Sequence, residues 1–201
     1  MKIYNQIDNK IIEEIKSILD NDGLIIIPTD TVYGIACNAF SDKAINKLFK
    51  VKQRDKNKPI NVLSNSIEKL KMVVKDFNDI ENKLIKKYFP GALTIICQKK
   101  ENVSSVLTAN LKTIGIRIPN NDIALNILAG YPYPLAVTSA NISGEKTDTN
   151  IQEILNDFKD NIDIFIDGGD INNLASTIVK IDNNQIIVLR QGDIVVNINN
   201  L

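Results

Sequence analysis

Four consecutive large apolar residues, Leu24 to Ile27, stop at Pro28 and open at once into Thr29-Asp30-Thr31, with Gly34 shortly after. The run is too short to define a helix and, bounded by a proline, reads as a buried strand. The hydroxyls and the carboxylate then stand at a strand end, where a sheet commonly presents ligand-binding groups, and Gly34 permits close approach of the backbone. An ordinary strand-to-turn junction would look the same, so recurrence decides. Lys50 to Leu63 (KVKQRDKNKPINVL), Thr113 to Pro119 (TIGIRIP), Pro134 to Gly144 (PLAVTSANISG) and Ile186 to Asp193 (IIVLRQGD) repeat the pattern. Each sets hydroxyls, an amide or basic side chains beside a short apolar run, which a purely structural protein has little use for.

The chain has 201 residues and no histidine. That excludes a Ser–His–Asp triad, a His-ligated zinc and a histidine general base. Any chemistry rests on Lys, Arg, Asp, hydroxyls, backbone groups or an ion brought by the substrate. This suits nucleotide chemistry, where positioning and charge neutralisation supply most of the catalysis. The formal net charge is zero, yet residues 43–100 hold 15 Lys and Arg against 5 Asp and Glu. Such a basic segment attracts phosphates or RNA, and a solvated helix surface has the same composition. Cys37 and Cys97 lie far apart, in or beside apolar segments, as buried small hydrophobes do, and no CxxC spacing marks a metal or redox site. No apolar run approaches the ~20 residues of a membrane span, and the N-terminus lacks a signal-peptide pattern, so a cytoplasmic location without a membrane partner is expected.

The periodicities alternate. Helical spacing covers 9–20, 41–51 (with Ser41 as N-cap), 66–75, 79–88, 121–129 and 150–158. Strand-like runs cover 24–27, 59–63, 93–98, 114–118, 134–138 and 162–166, and the N-terminal unit reads β-α-β. Ser176 to Ile181 and Gln185 to Leu189 read as a hairpin around Asn183-Asn184. Helices alternating with strands, plus a hairpin, give an α/β fold with a mixed, parallel and antiparallel, sheet and flanking helices. No linker or repeat divides the chain, so one domain over 1–201 is expected.

PTDTVYG, KQRDKNKPI, FPGALT, IGIRIP, TSANISG and LRQG, in this order and at these spacings, resemble the YrdC-type threonylcarbamoyl-AMP synthases over residues 9 to 193. The resemblance implies a twisted YrdC-like sheet with a concave, positively charged ligand cleft, in the short form without an additional C-terminal domain. It implies that L-threonine, bicarbonate and ATP are joined into L-threonylcarbamoyladenylate with release of pyrophosphate. That is the first step of threonylcarbamoyladenosine modification of tRNA, completed by other proteins. Mg²⁺ would ride on the phosphates.

By the same resemblance Lys52 and Arg54 are catalytic and, with Lys58, meet the nucleotide phosphates. Thr113, Ser139, Asn141, Thr147 and Arg190 also belong to the ATP site, and Thr31, Arg117, Val137 and Ser176 to the L-threonine site. Independently of the resemblance, Arg117 within an apolar strand needs an anionic partner. An acidic side chain would serve as well as a substrate carboxylate. Leu63 and Asn120 stand where relatives often carry His, Gln191 replaces a Pro, and Lys180 replaces a common Asp. The alternative function is a non-catalytic RNA-binding module using the basic segment 43–100. Carbamoyl-adenylate chemistry on another acceptor, as in longer hydrogenase-maturation proteins, is a third reading.

Overall fold

The run at 25–27 is a strand, and its surroundings explain why it has no polar side. In the computed structural model, which describes residues 1–145 and 150–196, Ile25 and Ile27 enter one hydrophobic core while Ile26 enters another on the opposite face. Alternation along a strand sends successive side chains to opposite faces, so a strand covered on both sides has no position for a polar residue.

The strands, in chain order, are β1 (Lys2–Tyr4), β2 (Ile25–Ile27), β3 (Gly34–Asn38), β4 (Asn61–Leu63), β5 (Leu93–Gln98), β6 (Thr113–Arg117), β7 (Leu135–Ser139), β8 (Ile164–Ile166), β9 (Thr177–Asp182) and β10 (Gln185–Arg190). Among the described residues they form one sheet in the order β1-β8-β2-β3-β7-β4-β6-β5-β9-β10. It is mixed, as expected: β1/β8, β2/β8, β4/β6 and β5/β9 pair parallel, and the others antiparallel.

The helices are α1 (Asn9–Asp20), α2 (Asp42–Val51), α3 (Ile67–Leu70), α4 (Asp79–Tyr88), α5 (Asp122–Gly130) and α6 (Ile151–Phe158). α1 and α5 cover one face through Ile15, Leu19, Ala124 and Ile127. α2, α4 and α6 cover the other through Ile45, Leu48, Leu84 and Phe158. Their starts are capped as the sequence dictates: Ser41 Oγ accepts from Ala44 N at 3.1 Å, and Asn78 and Glu81 form a reciprocal capping box. No helix among the described residues is long and apolar enough to cross a membrane.

Two expectations need correction. The helix read over 66–75 ends at Leu70, because Lys75 N turns to Gln98 O and Val74 bridges Lys99. Strand β3, Gly-Ile-Ala-Cys-Asn, escapes the sequence reading because small residues carry little strand propensity. It returns antiparallel to β2, with Ile25 opposite Ala36, so Pro28 to Tyr33 is the loop of a hairpin. The C-terminal hairpin forms as read, with Asn183 and Asn184 at φ 49° and 60°, the left-handed pair its turn requires.

Candidate active site

Alternation also builds the site. On β6, Ile114 and Ile116 enter the larger core; on β5, Leu93, Ile95 and Cys97 do so, and on β9, Val179. The residues between them face the other way, and Thr94, Ile96, Arg117 and Ile178 line a cavity of about 470 Å³ there. That volume lies within the usual range for small-molecule sites. Arg54, Lys58, Arg117 and Arg190 also line it, as do Thr31, Val137, Ser139 and Ser176. These eight come from six separated stretches of sequence, and all were candidates on sequence grounds. Lys52, Thr113 and Asn141 are not in the lining, and Thr147 lies outside the described residues.

The cations of the 52–58 loop divide. Gln53, at φ 50°, breaks helix α2 and sends its neighbours different ways. Lys52 is 1% exposed, and its ammonium donates to Ser139 O (2.5 Å), Asn141 O (2.6 Å) and Asn141 Oδ1 (3.0 Å). Lys52 is thus held against the Ser139–Asn141 turn and is not in the cavity lining. Its charge staples the Ser139–Asn141 turn through the half-buried Ser139 carbonyl and two acceptors of buried Asn141. Asn141 completes the turn, with Ser139 Oγ donating to its Oδ1 at 2.6 Å and its own Nδ2 donating to Glu145 O at 2.9 Å. Arg54, by contrast, reaches the cavity. Its Nε and Nη2 donate to Lys58 O (3.1 Å) and Pro59 O (2.8 Å), which orders the loop carrying Lys58. Burial lowers the Arg54 pKa and Asp55 opposes the shift. An arginine keeps its charge regardless.

Arg117 has the acidic side chain that its strand position demands. Nη2 is ion-paired to Asp30 Oδ1, Nη1 donates to Thr31 Oγ1 at 2.8 Å and Nε to Gly91 O at 2.9 Å. Three of its five donors are thus fixed, and two remain. Burial lowers its pKa, Asp30 opposes this, and the charge of Arg190 adds to the lowering. Thr29 Oγ1 orders the same loop, donating to Val32 O at 2.6 Å. Arg190 Nε and Nη2 hold Ser176 O at 3.0 and 2.8 Å, and Ser176 Oγ shares a hydrogen bond with Thr94 Oγ1 at 2.9 Å.

Two glycines are required by contact rather than by dihedral angle. A Cβ at Gly115 would lie 2.2 Å from Asn61 Oδ1, and one at Gly192 would lie 2.0 Å from Ala175 O. The first lets Asn61 lie across the sheet in the cavity floor, and the second lets the chain after Arg190 close on Ser176. Thr94 and Asn61 were missed as site residues, and Asp30, read only as a polar group at a strand end, was not read as the partner of Arg117. Thr94 sits within FPGALT and Asp30 within PTDTVYG, so the motifs held the signal, but contacts to Arg117 and Ser176 across 82 to 87 residues lie beyond local reading.

Comparison with known proteins agrees with this architecture. The Sua5/YciO/YrdC family, described as "Telomere recombination", matches residues 17–192. The chain belongs to this family. A Methanocaldococcus jannaschii protein is 38% identical over 187 residues, 91% of this chain and 86% of its own length. The threonylcarbamoyl-AMP synthases of Pyrococcus abyssi and Bacillus subtilis are 34% and 30% identical over 84% and 91% of this chain. This chain spans 50% and 54% of their lengths. The P. abyssi Sua5 structure complexed with L-threonine superposes with TM-score 0.90 at 31% identity, covering 96% of this chain and 58% of that one. Escherichia coli YciO, at 23% identity, shares the fold with TM-score 0.84, covering 95% of this chain and 93% of its own.

Proposed function

We propose that this chain is a threonylcarbamoyl-AMP synthase, converting L-threonine, bicarbonate and ATP into L-threonylcarbamoyladenylate, pyrophosphate and water. The observation that carries this reading is the gathering of four cations and several hydroxyls from remote segments around one cavity on one face of the sheet. Among the described residues only one of those cations, Arg117, has an acidic side chain at ion-pair distance. The other three, Arg54, Lys58 and Arg190, suit a triphosphate, with Arg oxygen pairs held bidentately and Lys acting as a point charge. Ser139, Asn141, Thr113 and Thr147 complete the nucleotide side, and Arg117, Thr31, Val137 and Ser176 the threonine side. Lys52 works from behind, through the Ser139–Asn141 turn. A relative solved in complex with L-threonine supports a threonine site in this fold.

The amine of threonine first attacks the carbon of bicarbonate, and loss of water leaves a carbamate. A carbamate oxygen then attacks the α-phosphorus, and pyrophosphate departs with its bonding electrons. Assembling three reactants in one cavity contributes up to about 7–11 kcal/mol, and fixed cations stabilise the charge that moves onto the leaving phosphates. Among the described residues the lining offers cations and hydroxyls rather than carboxylates, a donor set that does not fit a protein-held metal. Mg²⁺ belongs to the nucleotide in this reading, and no step is assigned to it. The product feeds tRNA-modifying proteins in the cytoplasm, and the basic segment 43–100 is the surface for any direct RNA contact.

The test is pyrophosphate release from ATP with L-threonine and bicarbonate omitted in turn, and mass spectrometry of the product. Release that needs both, together with the adenylate, is the expected result. ATP binding without release under any combination, joined to salt-sensitive RNA binding, would sink the synthase in favour of the binding module.

A further inference from the structure

The cavity is electrostatically uneven, and the unevenness has a single source. Arg54, Lys58 and Arg190 present charge without an ion-paired acid among the described residues, whereas Arg117 is joined to Asp30. Both members are sheltered, with side chains 6% and 14% exposed, so their fields cancel in a medium that screens little. Asp30 lies between two lining residues, Thr29 and Thr31, and its backbone carbonyl is held by Asn173 Nδ2 at 3.0 Å. The pair is thus fixed from both sides rather than formed by a loose surface loop.

Without Asp30 the cavity would hold four cations with no ion-paired acid among the described residues, and Arg117 would stand near Arg190, whose charge already acts on it. Two such arginines make a second oxyanion clamp. The reaction as read above needs a polyanion in one part of the cavity and a net-neutral zwitterion in the other. A dipolar Arg–Asp pair suits a zwitterion, and rejects a polyanion because any gain at Arg117 is offset by repulsion from Asp30.

We propose that Asp30 is a positioning and specificity residue that, through Arg117, reserves one end of the cavity for a net-neutral amino acid and keeps phosphates out of it. This rests on the synthase reading for the identity of the amino acid, while the exclusion of anions stands on the charges alone.

Inorganic pyrophosphate is the probe, and its binding stoichiometry is read by calorimetry on the full chain without other substrates. Asp30→Asn, its fold checked by circular dichroism, gains one pyrophosphate per chain over the unaltered protein, and Asp30→Asn with Arg117→Ala loses it again. Asp30→Glu, which restores the charge, shows no gain. A merely structural Asp30 would leave the count unchanged, and an unchanged count in folded Asp30→Asn overturns the proposal. If Asp30→Asn does not fold, the unaltered chain and Arg117→Ala decide. Equal pyrophosphate binding supports exclusion, and binding lost with Arg117 overturns it. Failure of the synthase reading shows separately, as pyrophosphate release that ignores threonine.

Discussion

One face of the sheet is used in two ways. Around β2, β3 and β7 it carries Ile25, Ile27, Ala36 and Leu135 beneath α1 and α5. Around β4, β6, β5 and β9 the same face carries Asn61, Arg117, Thr94 and Ile178 around the cavity. The opposite face is mainly apolar, with Ile26, Ile35, Val62, Ile95, Ile116 and Val179 in one core and Thr138 and Thr177 as its polar positions. The strands of the first half therefore have two apolar sides and those of the second half one, so that stability and chemistry are assigned to different strands of one sheet. Leu63 and Val137 stand on the border, belonging to the packed core and to the cavity wall alike.

The division is sharp enough to break. The largest effect belongs to Lys52, whose buried ammonium joins the end of α2 to the turn after β7. Lys52→Ala strands at least two buried acceptors, at about 1–3 kcal/mol each, and releases the turn that carries Ser139. Stability from urea denaturation should fall by about 3–5 kcal/mol, and pyrophosphate release should fall to background even at temperatures where the variant stays folded. A variant that keeps its rate would show that the turn holds itself.

On the covered half, Ile27→Ala removes a side chain with 0% exposure and should cost about 2–5 kcal/mol of stability while leaving the KM for each of the three substrates unchanged. On the open half, Gly115→Ala should behave in the reverse sense. Its new methyl must push Asn61 off the cavity floor, since Asn61 Oδ1 would be 2.2 Å away, so the KM for ATP should rise by about tenfold with a smaller loss of stability. Should Ile27→Ala raise KM as much as Gly115→Ala, the two halves would not be separable.

In the covered half, β3 apart, sequence and structure coincide directly. The apolar run from Leu24 to Ile27 and the helical spacing of 9–20 announce burial directly, because hydrophobic period and packing share one cause, as Ile15 and Leu19 at 1% and 0% exposure show. In the open half the motifs identified which segments matter but not what each side chain does. Arg117 was legible as a buried cation needing an anion; that Asp30 supplies it depends on the β2–β3 loop, and β3 was invisible in its small residues. Lys52 and Arg54, two residues apart, looked equivalent until Gln53 at φ 50° turned them apart. Sequence spacing carries the period of an element, and a break in that period is where its reading of direction ends.

Tyr33 tests the seam between the halves with the smallest effect. Its ring stacks on Phe165 of β8 at 5.3 Å in the main core, yet it also lines the cavity, and its hydroxyl donates to Gly169 O at 2.7 Å while accepting from Gly168 N at 2.9 Å. Tyr33→Phe keeps the stack and deletes the tie to the 168–169 loop, so it should cost about 1 kcal/mol near neutral pH. Burial raises the Tyr33 pKa to about 12, against an ordinary value near 10. A raised pKa means that the folded state holds the proton more tightly, so this contribution is complete below pH 10 and is lost as pH rises from 10 through 12. The stability advantage of the unaltered chain over Tyr33→Phe should therefore shrink across that window, because phenylalanine has no proton to lose and the other tyrosines titrate equally in both proteins. Urea denaturation at pH 8, 10 and 11 measures it. A gap that stays constant to pH 11 would mean that the hydroxyl ionises alike in the folded and unfolded chains, and that the seam at Tyr33 is open to water.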